Sequence, residues 1–480
     1  MRIRYRTCAN LALSLVLLRT STLRADDRAY QHGIDFLRVP GGQIGMIWSS
    51  AGNPPTSPAG SWTHDIYYSW ITPGDPAFNP VTLISETEAQ EPASAAISTD
   101  GHIFVTMEDG FDANNEVAQR FGVYDSTLKP VRGYPQMIRD GGHSGHVAST
   151  GNRFVVFYSE GWVDGGGVDN LGSGDDVYVA VSASTGAIER TVNIAVGSST
   201  RDWWPVVAGS SDRACLVWQR FVDGKTYADL MVSVVDPATG VKVLDQKKLT
   251  SNLKYYTYAV EYLRALDRFL ILGNLDNDTG FAYLLDSSGT VKAENRSLPG
   301  TVREAQMIVQ DAADQAFVAQ VRSPTGVMIL RVGSSSVELA KEVTDTHPWG
   351  GIGTDGIFFG DGDLHIGSLS TKGLVIKIFR KVIDVSVTPG SGVNPGGTNP
   401  NTNPSSGTPA DTQNNPASSG STQDNQQGSP SPSGSGADDP AASPSKNAAG
   451  CGCGLGLESV NADGLLGCWL FLLLVLRKLF

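Results

Sequence analysis

A short turn built from Asp, Gly, Ser, Thr, Pro or Asn returns seven times in this chain, and each return is followed by a β-forming run. The turns are Pro40-Gly41-Gly42, Thr99-Asp100-Gly101, Thr150-Gly151-Asn152, Ser211-Asp212, Leu266-Asp267, Ala313-Asp314 and Thr354-Asp355-Gly356. The runs are IGMIWSS, HIFVTME, RFVVFYSE, ACLVWQR, RFLILGN, QAFVAQV and IFFGD. A second turn marker keeps step with the first at Asp125-Ser126, Ser184-Thr185-Gly186, Asp236 to Gly240, Asp286 to Gly289 and Gly333 to Ser336. Two independent markers on one period of roughly 50 residues define a repeat too long for a single hairpin and too short for a domain.

One repeat, Trp204 to Leu249, shows what the unit is. It reads as four strands, Pro205 to Ala208, Arg213 to Arg220, Ala228 to Val235 and Val241 to Leu249, separated by the turn sequences GSSD and DPATG and by a longer connection. In the second strand Ala214, Leu216 and Trp218 alternate with Cys215, Val217 and Gln219, so both faces of the sheet carry apolar side chains. A sheet apolar on both faces must be covered by a like sheet on each side.

The repeat resembles the four-stranded unit of a β-propeller, and the resemblance covers about residues 30–385. It implies an all-β fold, a single β-propeller of seven four-stranded blades, with six or eight blades left open by an insertion at Ala51 to Trp62 and by a short last unit. Closure is expected to pair Ile34 to Val39 with the strand Gly373 to Val382. The Gly-His and Trp-Asp signatures of WD40 repeats and the di-glycine of kelch repeats are absent. One segment, Ser210-Ser211-Asp212-Arg213-Ala214 before Trp218, approaches a sialidase Asp-box with its aromatic residue one place late.

The ends of the chain have different compositions. Residues 1–25 read as a signal peptide, with Arg2, Arg4 and Arg6 ahead of the apolar stretch Leu11 to Leu18. The propeller is expected over 26–386, and 387–448 is a Pro/Gly/Ser/Asn-rich linker with too little apolar surface to offset the entropy of ordering, so we expect a disordered stalk. Residues 449–480 join Cys451-Gly452-Cys453-Gly454 to an apolar run, Gly464 to Leu476, and to Arg477-Lys478. That order is similar to the C-terminal sorting signal MYXO-CTERM, which implies processing at Cys451 or Cys453 by a sorting protease and display at the cell surface or outer membrane. The run is expected to form a short hydrophobic helix of roughly 20 Å, below the ~30 Å of a bilayer core, which suits recognition better than permanent anchoring. A short membrane anchor and a lipid-anchor signal are the alternatives.

A formal charge of -13 excludes non-specific nucleic-acid binding, which needs a basic field. Of five cysteines, Cys215 alone falls within the repeats, so no disulfide is available there and a small core residue is the simplest reading.

In the propellers that the repeat resembles, the start of each innermost strand and the loop between second and third strands open on one face around a central channel. On this chain those positions are Gln31-His32, Gln90-Glu91-Pro92, His143 to His146, Arg201 to Pro205, Tyr255 to Tyr258, Arg303 to Gln306 and Thr346 to Trp349. Arg139, Arg201 and Arg303 are candidate holders of a carboxylate or sulfate, and Trp203, Trp204, Tyr256 and Trp349 are candidate stacking surfaces for sugars or a plug for the channel. Glu91 and Glu304 are the candidate acids of a glycosidase. Asp164, Asp169, Asp276 and Asp278 lie in acidic, glycine-bearing loops of the kind that hold calcium, with solvated loops as the alternative. His143 and His146 are too isolated in the sequence to read as a metal cluster. These features lead to an exported, surface-displayed module for a glycan or protein ligand at the channel mouth. A secreted sialidase-like hydrolase and a structural envelope protein are the competing readings, because the fold serves all three.

Overall fold

The computed structural model describes residues 31–39, 43–50, 64–71, 79–86, 89–110, 117–160, 176–197, 200–301, 305, 307–312, 314–323, 326–344, 355–360, 363–370, 373–379 and 382–383. Within them every sheet is an antiparallel meander. Blade 1 holds β1 (Gln31–Arg38), β2 (Ile44–Ser50), β3 (Asp65–Ile71) and β4 (Val81–Ile84). Blade 2 holds β5 (Ala89–Ile97), β6 (Ile103–Gly110), β7 (Val117–Tyr124) and β8 (Pro130–Asp140). Blade 3 holds β9 (Gly142–Thr150), β10 (Arg153–Glu160), β11 (Asp176–Ala183) and β12 (Ile188–Ala195).

Blade 4 holds β13 (Asp202–Gly209), β14 (Ala214–Phe221), β15 (Ala228–Asp236) and the first half of β16 (Val241–Leu263). The second half of β16 opens blade 5, followed by β17 (Arg268–Leu275), β18 (Gly280–Leu285) and β19 (Val291–Leu298). Leu253 marks the change, since it pairs with Ala228 of blade 4 on one side and Leu275 of blade 5 on the other. The two blades therefore share one seven-stranded sheet. Blade 6 holds β20 (Met307–Asp311), β21 (Ala316–Ser323), β22 (Gly326–Gly333) and β23 (Ser336–Thr344), and blade 7 holds β24 (Asp355–Gly360), β25 (Asp363–Ser370) and β26 (Gly373–Phe379).

The innermost strands β1, β5, β9, β13, the second half of β16, β20 and β24 each lie beside the next, and β24 lies beside β1. The ring is thus a seven-bladed propeller, as the turn markers imply. The expected closure is corrected. β1 pairs with β2 and β26 with β25, while Val382 and Ile383 are buried in one cluster with Ile34 and Phe36. The reason is position: the second edge of an innermost strand faces the axis, so a partner there would fill the channel. Phe359 and Leu364 of blade 7 pack in one cluster with Ile34 and Phe36 of blade 1.

The alternation in each strand does what the repeat requires. Ala214, Leu216 and Trp218 pack on Val155 and Phe157 of blade 3, while Cys215 and Val217 pack on Phe269 and Ile271 of blade 5. Leu270 and Leu272 then turn to Val318 and Leu330 of blade 6. Burial pushes the Cys215 thiol well above its usual range, which leaves it an inert core group.

Around part of the ring, side chains also tie one innermost strand to the next. The Asp35 carboxylate accepts from Ala95 N at 2.5 Å, Ser94 Oγ accepts from Val147 N at 3.2 Å, and His146 Nδ1 donates to Pro205 O at 2.8 Å. Asp35, Ser94 and His146 stand at one level of blades 1, 2 and 3, opposite Ile47, Thr106 and Phe157. At that level blades 4, 5 and 6 carry Val206, Ala259 and Ile308, which cannot form such bonds.

Candidate ligand-binding face at the channel mouth

The mouth lies where innermost strands begin and second strands end, as in the pairing of Gly142 with Glu160 and of Asp202 with Arg220. Every innermost strand from blade 1 to blade 5 breaks register there. The shifts fall between Gln31 and Ile34, Glu91 and Ser94, His143 and His146, Trp203 and Val206, and Leu253 and Tyr258. In three consecutive blades the irregular segment holds a non-glycine residue in the left-handed region: Ser144 at φ 55°, Trp204 at φ 55° and Tyr256 at φ 60°. Such backbone costs of order 1–3 kcal/mol per residue and persists only where its surroundings hold it.

What holds it is a set of polar side chains reaching across the seams between blades. Gln119 Oε1 accepts from Gly145 N at 2.9 Å, and the Glu108 carboxylate accepts from Ser144 N. Gln219 Oε1 accepts from Tyr256 N at 3.0 Å. Asn274 makes both bonds to one residue, donating to Thr301 O at 2.5 Å and accepting from Thr301 N at 2.7 Å. Tyr258 Oη donates to the carbonyls of Trp203 and Trp204. Glu108, Gln119 and Gln219 each secure the bulged start of the next blade, Tyr258 reaches back to that of blade 4, and Asn274 holds the connection that leads into blade 6.

Aromatic rings fill the same seams. His143 lies 4.4 Å from Trp203, His146 lies 5.5 Å from Trp204, and Trp204 meets Tyr256 edge-on at 5.5 Å. Trp203, Trp204 and Tyr256 are 1%, 6% and 3% exposed, so their rings are buried in the seams between blades. Tyr255 is partly exposed, packed edge-on against Phe221 at 4.9 Å with its hydroxyl donating to Lys225 O at 2.9 Å. Lys225 and Lys254 are exposed beside it.

The expected arginine set is held in separate contacts. Arg139 stands on the outermost strand of blade 2 and pairs with Glu160 at 2.5 Å. Arg201 is buried, its guanidinium 4.8 Å over Trp203 and 5.2 Å over Phe221. Burial and the Arg201 charge push His143 down to about 3, so its imidazole is neutral. Arg303, Glu304, Trp349, Asp164, Asp169, Cys451 and Cys453 lie outside the described residues.

The acids of the mouth are engaged with neighbours. Glu91 contacts His64 Nδ1 across the seam of blades 1 and 2. Asp109 takes Arg120 at 2.8 Å, Gln90 Nε2 at 3.3 Å and the Tyr134 hydroxyl. Asp202, fully buried, accepts from Trp218 Nε1 at 2.6 Å and from Arg220 Nε and Nη2 at 2.7 and 3.0 Å. Asp276 and Asp278 are exposed in the turn between β17 and β18, where Asp278 pairs with Lys254 at 2.5 Å. Among the described residues no group of three or more His, Cys, Asp or Glu is placed to hold a metal ion.

Sequence reasoning missed the clamps and His64. A signal was present: Ser49, Glu108, Ser159, Gln219 and Asn274 occupy one place near the end of successive second strands, and all are buried. A buried polar residue repeated where the pattern calls for an apolar one marks a recurring hydrogen bond.

No protein-family model matches the chain, and no curated protein matches it. The chain is similar to several solved structures. The BP39L lectin from Burkholderia pseudomallei is 12% identical over 76% of this chain and 99% of its own, with a TM-score of 0.47. The WD40 domain of Toxoplasma gondii coronin is 10% identical over 75% and 87%, at 0.43. The Trypanosoma rangeli sialidase is 8% identical over 74% of this chain and 55% of its own, at 0.39. These values assign no ligand to this chain.

Proposed function

We propose that this chain is an exported β-propeller binding module, displayed at the cell surface through its C-terminal tail, that receives a glycan or a protein ligand at the channel mouth. The observation that carries this reading is the row Ser144, Trp204 and Tyr256, three left-handed non-glycine residues at matching places in adjacent blades. Strain repeated in register, and clamped by side chains of the neighbouring blades, builds a rigid floor beneath one face. Over that floor stands the Tyr255 ring, an apolar face fixed at its hydroxyl, with Lys225 and Lys254 to offer donors. Long connections, 51–64 in blade 1 and 161–175 in blade 3, join second to third strands at this end, where loops carried on a rigid scaffold bind ligands.

The engagement of Glu91, Glu108, Asp109 and Asp202 with fixed partners supports retention of a ligand rather than its turnover. Surface display rests on the leader and on the tail around Cys451 and Cys453. The test is a glycan array probed with the purified chain, scoring both retained protein and loss of each printed sugar. Retention that disappears in Tyr255→Ala supports the reading. Loss of a sugar would replace it with a hydrolase, and silence in both channels would move the ligand class to protein.

A further inference from the structure

Side chains on a strand alternate between its two faces, and that parity decides which seam each polar residue at the mouth addresses. On β6, Glu108 shares the face of Phe104, which packs on Val147 and Phe154 of blade 3. On β14, Gln219 shares the face of Cys215 and Val217, which pack on Phe269 and Ile271 of blade 5. On β10, Ser159 shares the face of Val155 and Phe157, which pack on Ala214, Leu216 and Trp218 of blade 4. β10 pairs residue for residue with β11 from Arg153 to Glu160, so that parity is undisturbed up to Ser159. The register places the three residues alike. Glu108 lies opposite Glu91, Ser159 opposite His143 and Gln219 opposite Trp203, each on the mouth side of the break in its innermost strand.

In two of these seams the side chain accepts from the backbone N–H of the left-handed residue in the next blade, Ser144 for Glu108 and Tyr256 for Gln219. The left-handed residue of blade 4 is Trp204, and the side chain at the corresponding place in blade 3 is Ser159. Ser159 is 0% exposed, and its hydroxyl has no hydrogen-bond partner among the described residues. A serine oxygen stops two bonds short of a glutamate or glutamine oxygen, a shortfall of about 2.5 Å, close to the length of about 2.7–2.8 Å of an O–H···O bond. We infer that one buried water sits between Ser159 Oγ and the backbone of the Trp203–Trp204 bulge, completing in two parts the clamp that Glu108 and Gln219 each make in one. The polar partners such a water needs are present. The Ser159 hydroxyl both donates and accepts, and the bulge adds its carbonyls, each with two lone pairs, of which Tyr258 Oη from blade 5 takes one. A bridging water holds nearly as well as a direct bond. Unlike a side chain it exchanges with solvent, so the seam of blades 3 and 4 is the one of these three whose clamp is not covalently part of the chain.

The experiment is a crystal structure of the full chain at a resolution that shows ordered water, joined to thermal unfolding and hydrogen exchange of the wild type, Ser159→Ala and Ser159→Gln. A single peak should lie about 2.7–3.0 Å from Ser159 Oγ and within bonding reach of the Trp203–Trp204 backbone. Ser159→Ala removes the anchor of the water, and should lower the unfolding midpoint by about 2–5 °C and speed exchange of the bulge amides about tenfold. Ser159→Gln supplies the two missing bonds. Its side-chain oxygen should stand where the peak stood, and exchange of the bulge amides should be slower than in the wild type. A map with no peak beside Ser159, or a Ser159→Ala protein with the midpoint and exchange of the wild type, would overturn the proposal. So would a peak ringed by five or six oxygens at about 2.4 Å, which is a cation. Should Ser159→Gln fail to fold, the wild-type map and Ser159→Ala decide between the same outcomes.

Discussion

The two ends of each blade are held by different kinds of bond. At the end away from the mouth several turns are satisfied from within, although Thr99 N donates to Gly151 O and Ser184 Oγ to Asp100 across a seam. Asp125 accepts from Thr127 N, Thr127 Oγ1 and Lys129 N, and Asp286 repeats the pattern with Ser288 N, Ser288 Oγ and Thr290 N. Asp236 does the same with Ala238 and Thr239. At the mouth, Glu108, Gln119, Gln219 and Asn274 reach residues of another blade, 26 to 37 places away in sequence. Those turns need only their own residues, whereas the mouth clamps exist only once neighbouring blades have assembled.

Removing a mouth hub should therefore cost far more than removing a turn aspartate. Asp202→Ala leaves Arg220 and the buried Trp218 Nε1 without their acceptor, and we expect about 3–5 kcal/mol lost in denaturant unfolding. A loss below about 1 kcal/mol would show that the hub is not what holds β13 against β14 at the mouth. Asn274→Ala strands both polar groups of the Thr301 backbone, at about 1–3 kcal/mol, and should speed exchange of Thr301 N–H while leaving blade 2 unchanged.

Asp286→Ala tests the other end. Burial alone would raise this carboxyl, but Lys292, Ser288 and the backbone of Ser288 and Thr290 together hold it well below the usual carboxylate range. Its contribution is thus present above that range and lost as pH falls below it, so the variant should differ from wild type by about 1 kcal/mol at pH 7 and converge with it in acid. A difference that survives acidification would contradict the assignment. The smallest effect belongs to Ser144→Gly, which releases left-handed strain while raising the entropy of the unfolded chain, so we expect a change within about 1 kcal/mol of zero. A large loss would mean that the Ser144 hydroxyl, 3.3 Å from His143 Nδ1, carries the site.

This contrast also explains what could be read from the sequence. The blade count was legible because the turns are local: Ser98, Asp125, Ser210 and Asp286 bond their own neighbours, so the residue types stand beside the chain reversals they cause. The strand faces were legible because pleating has a fixed period. The closure was not, since packing of Val382 and Ile383 beside Phe36 leaves no spacing to read. Nor were the partners of the site residues. Trp203 and Arg201 look alike on paper whether they face a ligand or each other, and the choice was made by Phe221 and His143, which arrive from other strands.

The unbroken run of β16 through blades 4 and 5 has a consequence for how such a chain can be altered. Most neighbouring blades are joined by a connection, and extra residues can enter there with little disturbance. Between Leu249 and Leu253 the backbone never leaves the sheet, so an added residue would shift the pairing of one blade or the other. A cut or a grafted domain should be tolerated at the junction 196–200 and rejected at 249–253, which makes blades 4 and 5 a single unit of inheritance within the ring.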